Sequence, residues 1–187
     1  MRRNIICNIP TEDCVTAGYE GKDIILIESY YPINLLLHQT INAGDELKFI
    51  LLIKKVKDTF YEKNITCYKK EIEDICRTTG AKAEFVSIDL EVGKYEQLMK
   101  RLVDEIDTGA HIMVDITYGS KDIPIVIFSA LNFAEKFLKC EIDNILYAQG
   151  ASIYDMSPLY YLDSVTNIIR CDEPDKAKQM LKSLLEI

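Results

Sequence analysis

No stretch of this chain comes near the ~18 consecutive apolar residues that cross a bilayer. The basic start, Met1-Arg2-Arg3-Asn4-Ile5-Ile6-Cys7, lacks an apolar segment long enough for a secretory signal. No membrane role is expected, and the expected compartment is the cytoplasm. Positive charge is also short: 22 lysines and arginines face 30 aspartates and glutamates, for a net charge of -8. Broad binding to DNA or long RNA needs a basic surface that replaces counterions, so that class is disfavoured. A small anionic ligand in a local pocket stays open, because a pocket's field need not follow the net charge. The six cysteines (Cys7, Cys14, Cys67, Cys76, Cys140, Cys171) are scattered, with no C-x-x-C pair and no histidine at zinc-finger spacing. They are expected to be buried thiols in a reducing compartment, with no metal site and no cofactor.

What is present suits one domain over residues 1–187: 48% of residues are apolar and 28% charged. Arg3 to Asn8 is a short apolar run stopped by Ile9-Pro10 and reads as a first strand. Thr11 to Gly18 is polar and irregular. Asp23 to Glu28 is a short strand or part of a hairpin with what precedes it. Pro32 opens a helix through Ile41, with Gly44 as its stop. Lys48 to Lys54 is a continuous apolar run bounded by charge, the pattern of a buried parallel strand. Ile65, Tyr68, Ile72 and Ile75 fall at helical spacing within Ile65 to Thr79, ended by Gly80. Ala83 to Leu90 is a strand, Tyr95 to Ile106 a helix, His111 to Thr117 a strand, and Ile123 to Leu138 a helix apolar nearly all round at its start. Asn144 to Ala148 and Ser152 to Asp155 are short strands, Leu159 to Arg170 is ambiguous, and Asp175 to Leu185 is a terminal helix.

Alternating strand and helix implies an α/β fold: a Rossmann-like, doubly wound, mainly parallel sheet with helices on both faces. Ligands of such sheets sit beyond the carboxyl ends of the strands, at the switch point. The loops after Asn8, Lys54, Leu90 and Thr117 are therefore the candidate site. No G-x-G-x-x-G follows a strand and no P-loop lysine is present, which argues against the common nucleotide fingerprints.

The informative segment is Asp115-Ile-Thr-Tyr-Gly-Ser-Lys-Asp-Ile-Pro124. A strand ends, a hydroxyl residue follows, Gly119 permits a tight turn, and Lys121 stands where a helix begins. Pro124 is tolerated because first-turn amides lack intrahelical partners. Free amides, the positive helix end and the lysine form a phosphate site; the plainer alternative is an ordinary turn with Ser120 or Asp122 as N-cap.

This segment resembles the motif after the fourth strand of CARF domains, the CRISPR-associated Rossmann-fold sensors of type III CRISPR antiviral defence. That motif runs Asp, apolar, Thr or Ser, any residue, Gly, one spacer, Arg or Lys, then an apolar residue or Pro. Ile5-Ile-Cys-Asn-Ile-Pro10 is similar to the family's first strand and ligand loop, and Tyr19-Glu-Gly21 to a short segment that follows it in one branch. Asn144-Ile-Leu-Tyr-Ala148 and Tyr154-Asp-Met-Ser-Pro158-Leu resemble its later strands. Tyr118 departs from the pattern, since many members carry His or Gly there.

The resemblance implies a homodimer that binds a cyclic oligoadenylate of four or six adenylates across its two-fold axis. Thr117, Tyr118, Gly119, Ser120 and Lys121 would face the ring, with Asn8, Ile9, Pro10 and Thr11 from the first loop. No effector domain is evident. His38 and His111 lack the preceding arginine of a HEPN ribonuclease, and Asp13 with Glu20-Gly-Lys22 is too closely spaced for a restriction-type nuclease. A stand-alone domain is expected, either a metal-independent ring nuclease or a non-catalytic sensor or sponge; an unrelated Rossmann-like nucleotide-binding protein is the alternative outside the family. As a nuclease it would place a ribose 2′-hydroxyl in line with its neighbouring phosphate and yield a 2′,3′-cyclic phosphate. Lys121 would supply charge, and Thr117, Ser120 or Thr11 hydrogen bonds. No histidine is placed for acid–base work, so turnover would be slow.

Other residues carry two readings each. Gln149 reads an adenine edge or belongs to a turn with Gly150. Lys54-Lys55 contacts phosphate or is a solvated strand end. The apolar start of the Ile123 helix packs on a partner copy or on the sheet. Among the 11 tyrosines, Tyr30-Tyr31 and Tyr160-Tyr161 are adjacent pairs whose members point different ways, for base stacking or for packing.

Overall fold

The computed structural model describes residues 1–19, 28–168 and 173–185. Its elements run β1 (Arg2–Ile9), β2 (Ala17–Gly18), β3 (Glu28–Ser29), α1 (Pro32–Thr40), β4 (Glu46–Ile53), α2 (Tyr61–Thr79), β5 (Lys82–Asp89), α3 (Tyr95–Glu105), β6 (His111–Asp115), α4 (Ile123–Phe137), β7 (Glu141–Gln149), β8 (Ser152–Asp155), α5 (Ser157–Ile168) and α6 (Pro174–Leu185). The main sheet has the order β5-β4-β1-β6-β7-β8. All of its pairs are parallel except β7 with β8, which is antiparallel. The fold is thus α/β and Rossmann-like, as the alternation of elements implies.

The central strands β1, β4 and β6 are buried along most of their length, with apolar middles, because both faces are covered. Along them, side chains alternate between two cores. Ile5, Cys7, Ile9, Phe49, Leu51 and Ile53 pack with Ile33, Leu35 and Leu37 of α1 and Tyr68, Ile72 and Ile75 of α2. Ile6, Ile50, Leu52, Ile112 and Val114 pack with Leu98 and Leu102 of α3 and with Ile127, Ala130 and Leu131 of α4. The apolar start of α4 is largely spent on this second core: Ile123, Val126 and Ile127 are buried, while Ile125 is 70% exposed.

From β1 the chain winds outward through β4 to β5, then returns to β6 on the other side of β1 and continues to β7. The connections leaving β1 and β6 diverge, so a crevice opens between the carboxyl ends of these neighbours.

Several boundaries differ from the sequence reading. The helix expected from Ile65 begins a turn earlier, at Tyr61. Its buried Asn64 donates from Nδ2 to the carbonyls of Pro10 (2.8 Å) and Glu12 (2.7 Å) and accepts the Cys14 amide (3.3 Å), so a polar residue seats this turn. β7 starts at Glu141 rather than Asn144, with a register shift against Ile112 and Met113 that hides its alternation. Within the stretch expected to be irregular, Ala17–Gly18 pairs antiparallel with Glu28–Ser29. The ambiguous Leu159 region is helical from Ser157 to Ile168. Residues 23–27 of the proposed early strand, Glu20-Gly21-Lys22, Cys171 and Arg170 lie outside the described residues. No described helix is long and apolar enough to cross a membrane.

Candidate functional site

At the switch point lies a cleft of about 320 Å³. β1 and its loop contribute Asn8, Ile9, Pro10, Thr11 and Glu12. The ends of β4 and β5 contribute Lys54 and Leu90, and the β6–α4 loop contributes Thr117, Tyr118, Gly119 and Ser120. All four loops singled out from the sequence meet here. A larger cleft, about 470 Å³, lies at the opposite, amino end of the strands around Arg2, Lys48, Lys82, Glu46, Glu84 and Asp107. Its charges largely satisfy one another: Lys48 pairs with Glu105 (3.2 Å) and Asp107 (3.7 Å), and Arg2 with Glu46 (3.5 Å). The switch-point cleft is therefore the better candidate for holding a charged ligand.

The β6–α4 loop is fastened from below by Asp115. This buried carboxylate accepts the Thr117 amide (2.9 Å) and the Ile33 amide at the start of α1 (3.2 Å). Burial raises the Asp115 carboxyl above its ordinary range, against the opposing pull of the Thr117 hydroxyl, the Thr117 amide and the Ile33 amide. Thr117 Oγ1 accepts the Ala148 amide (2.9 Å), and the Ile116 amide bonds Leu146 O (2.8 Å). The Asp-x-Thr portion thus ties β6 to β7 and to α1. The Thr117 hydroxyl is already engaged on both sides, which makes it a positioning group for the turn.

Tyr118 turns inward. Its ring meets Tyr31 edge-on at 5.5 Å, and its hydroxyl lies 3.3 Å from Tyr19 Oη and 3.6 Å from Cys14 Sγ and donates to Tyr30 O (3.4 Å). Burial, foremost, pushes this phenol far above its ordinary range. Gly119 has φ +103°, and a Cβ there would stand 2.9 Å from Asn8 Cγ, so only glycine fits. Asn8 is 2% exposed, yet neither its Oδ1 nor its Nδ2 has a hydrogen-bond partner. Buried amides are almost always paired, so an orphan lining a cleft asks for an explanation.

Beyond Gly119 the chain enters α4. Asp122 stands at the N-cap without a side-chain capping bond, and Pro124 lies in the first turn. The Ser120 side chain, foremost, then the Tyr95 side chain hold the Asp122 carboxyl below the usual carboxylate range. Lys54 faces the same region, whereas its neighbour Lys55 pairs with Asp89 at 2.8 Å.

Of the residues named from the sequence, Asn8, Ile9, Pro10, Thr11, Thr117, Tyr118, Gly119 and Ser120 line this cleft. Lys121 is exposed and Gln149, at the end of β7, is exposed beside its pairing with Ser152; neither lines the cleft. Lys54 supplies the cation among the lining residues instead. The signal for it was the charge that closes the apolar run of β4, a signal that a solvated strand end shares. Leu90 marks the third of the expected loops, and Glu12 was not anticipated.

The histidines stand apart. His38 is in the last turn of α1, and His111 opens β6. Among the described residues, His111, Glu141 and Asp143 form a group of potential metal ligands, their atoms within 4.8 Å of one another. His111 Nδ1 lies 3.0 Å from Asp143 Oδ1, and the Arg3 guanidinium, 3.9 Å from Asp143 Oδ2, already brings positive charge there. Cys7, Cys14 and Cys140 are buried, and all the described cysteines are free thiols. In the tyrosine pairs, Tyr31 and Tyr160 are buried while Tyr161 is 43% exposed, in keeping with packing for at least one member of each.

No family model matches this chain, and no curated protein matches it.

Proposed function

We propose that this chain is a CARF-type receptor for a cyclic oligoadenylate, acting as a homodimer whose two switch-point clefts share one ring. The observation that carries the reading is the pairing of Asn8 with Gly119. A buried amide without a partner lies against a glycine that admits no side chain, at the place where doubly wound folds bind ligands. Gly119 covers the amide in the free protein, and a shift of that turn would let a phosphate or ribose oxygen accept from Nδ2. Lys54 and the α4 amino end supply the positive potential such an anion needs. Ile125 on the first turn of α4 and Phe60, whose amide bonds Thr11 O, expose 70% and 47% of their surface, apolar area that a second copy would cover.

The finer part of the proposal is metal-free cleavage. The ring's own 2′-hydroxyl gives its proton to water and attacks the adjoining phosphorus; the P–O5′ bond breaks and the departing 5′-oxygen takes a proton from water, leaving a 2′,3′-cyclic phosphate. Lys54 would offset the developing charge, and Ser120 or Thr11 would hold the sugar. Without a histidine at the site, cleavage would be slow.

The test is to mix the purified protein with cyclic tetra-adenylate and, separately, cyclic hexa-adenylate, in chelator. Calorimetry should give one ring per two chains, and chromatography then separates intact ring from linear product. Intact ring with binding leaves a sensor or sponge. Failure to bind either ring refutes the reading.

A further inference from the structure

At the amino ends of the strands, away from the cleft, the pairing of β6 with β7 is interrupted. His111 lies opposite Glu141 and Ile112 opposite Ile142, but Met113 lies opposite Asn144, so Asp143 is an extra residue with no opposite number. Such a bulge is rare between parallel strands and re-aims a side chain. Here it accompanies a convergence. Asp143 Oδ1 lies 3.0 Å and Glu141 Oε2 3.8 Å from the same imidazole nitrogen, His111 Nδ1. One donor atom from each of the three residues falls within 4.8 Å of the others. Around a tetrahedral ion with bonds of about 2.0–2.2 Å, donors stand about 3.3–3.6 Å apart. The imidazole and Asp143 are part-buried, whereas the Glu141 side chain is 76% exposed and can swing to close the last gap.

We propose that His111, Glu141 and Asp143 form a zinc site that clasps β6 to β7 across the bulge, a reading that does not depend on what the switch-point cleft binds. The two carboxylates match the charge of one divalent ion, and Nδ1 of the neutral imidazole supplies a nitrogen donor. The choice of ion follows from the donors. Calcium takes six to eight oxygens, and magnesium keeps an octahedron of oxygens and waters. Three donors that include an imidazole suit neither, whereas they suit zinc, with water in the fourth position. Arg3 sharpens the discrimination. Its Nη1 lies 3.9 Å from Asp143 Oδ2, the carboxylate oxygen that does not meet His111. Its guanidinium is fixed by Thr40 O, 3.0 Å from Nη2, and by Asp45 Oδ2, 3.6 Å from Nε. Arg3 thus orients Asp143 as an outer partner orients a ligating carboxylate. Its charge also disfavours any ion held by electrostatics alone, so the bond to nitrogen must carry the affinity.

The experiment titrates zinc, magnesium and calcium chlorides into the full chain, stripped with chelator and freed of any affinity tag, by calorimetry and by thermal unfolding. Zinc should bind at one ion per chain and raise the unfolding midpoint, as a ligand of the folded state does. Magnesium and calcium at the same concentration should leave it unchanged. His111→Gln, Asp143→Asn and Glu141→Gln should each weaken zinc binding at least as much as loss of an outer partner weakens a metal site, about 10–100-fold. The exposed Glu141 keeps the test informative if either of the other variants misfolds. Free thiols are the competing ligands, so cobalt serves as a spectroscopic probe, and its complex should lack the near-ultraviolet charge-transfer band of a thiolate. No zinc binding, an equal response to magnesium, affinity unchanged in His111→Gln and Glu141→Gln, or a thiolate band each overturns the site.

Discussion

Asn8 and Asn64 have the same side chain and nearly the same burial, 2% and 1% exposed, but opposite circumstances. Asn64 makes three hydrogen bonds, to Pro10 O, Glu12 O and the Cys14 amide. Asn8 makes none. Replacing each by alanine therefore has different consequences. A typical hydrogen bond contributes about 1 kcal/mol net, so Asn64→Ala should cost about 3 kcal/mol or more, since it also strands buried backbone groups. An unsatisfied buried amide is itself a burden of about 1–3 kcal/mol. Asn8→Ala removes that burden and leaves a void worth about 1–2 kcal/mol. The two terms nearly cancel, and Asn8→Ala should lie within about 1 kcal/mol of the wild type. Urea denaturation of the free proteins, with equal slopes, reads both differences. The affinity of Asn8→Ala for cyclic oligoadenylate should nevertheless fall about tenfold or more, as expected for one hydrogen bond to a charged group. If Asn8→Ala is as unstable as Asn64→Ala, the Asn8 amide has a partner in the free protein, and its claim to face a ligand fails.

Other expectations are as direct. Gly119→Ala must adopt φ +103° and meet Asn8 at 2.9 Å; it should lose about 2–3 kcal/mol by denaturation, with part recovered when Asn8→Ala is added. Lys54→Ala should leave the urea midpoint unchanged while weakening ring binding and flattening its salt dependence, read by titration at several ionic strengths. Tyr118→Phe removes the hydroxyl shared with Cys14, Tyr19 and Tyr30 O, and thermal unfolding should show a loss of about 1 kcal/mol. Asp115 titrates higher in the fold than its ordinary 3.8. The native state then binds the extra proton, so Asp115 contributes most below that value, and its contribution declines as pH rises from 3.8 through the folded value. Asp115→Asn should lack this decline, measured as the stability difference between the two proteins across that window.

The strands β1, β4 and β6 were legible because two covered faces demand buried apolar runs, which few other structures tolerate; β5, an edge strand with only Ile88 buried, was legible from Phe85, Val86 and Ile88. β7 was only half legible. Its first residues, Glu141-Ile142-Asp143, carry charge on both sides of one isoleucine, and a register shift breaks the period there. β2 has two residues, too few for any period. The first turn of α2 was hidden because its anchor is a polar residue, Asn64, buried through bonds that no periodicity reports. The four loops of the cleft followed from topology, which depends on element order alone. The cation did not: chain proximity to Gly119 favours Lys121, but the turn brings Ser120 to the cleft and leaves Lys121 exposed, while Lys54 arrives from a strand distant in sequence. The inward turn of Tyr118 rests on the Cys14, Tyr19 and Tyr30 contacts, all long-range, which is why its role was unreadable beforehand.

The three bonds of Asn64 have a mechanical consequence. They clamp the segment after β1 to α2, so one jaw of the cleft is as stiff as that long helix. The opposite jaw is pinned by Asp115 and Thr117 only as far as Gly119, beyond which Ser120 and Lys121 stand in solvent. Any closure upon an occupant must then be a movement of that second lip towards a fixed anvil, and stiffening the lip, rather than the anvil, is the way to alter how quickly an occupant leaves.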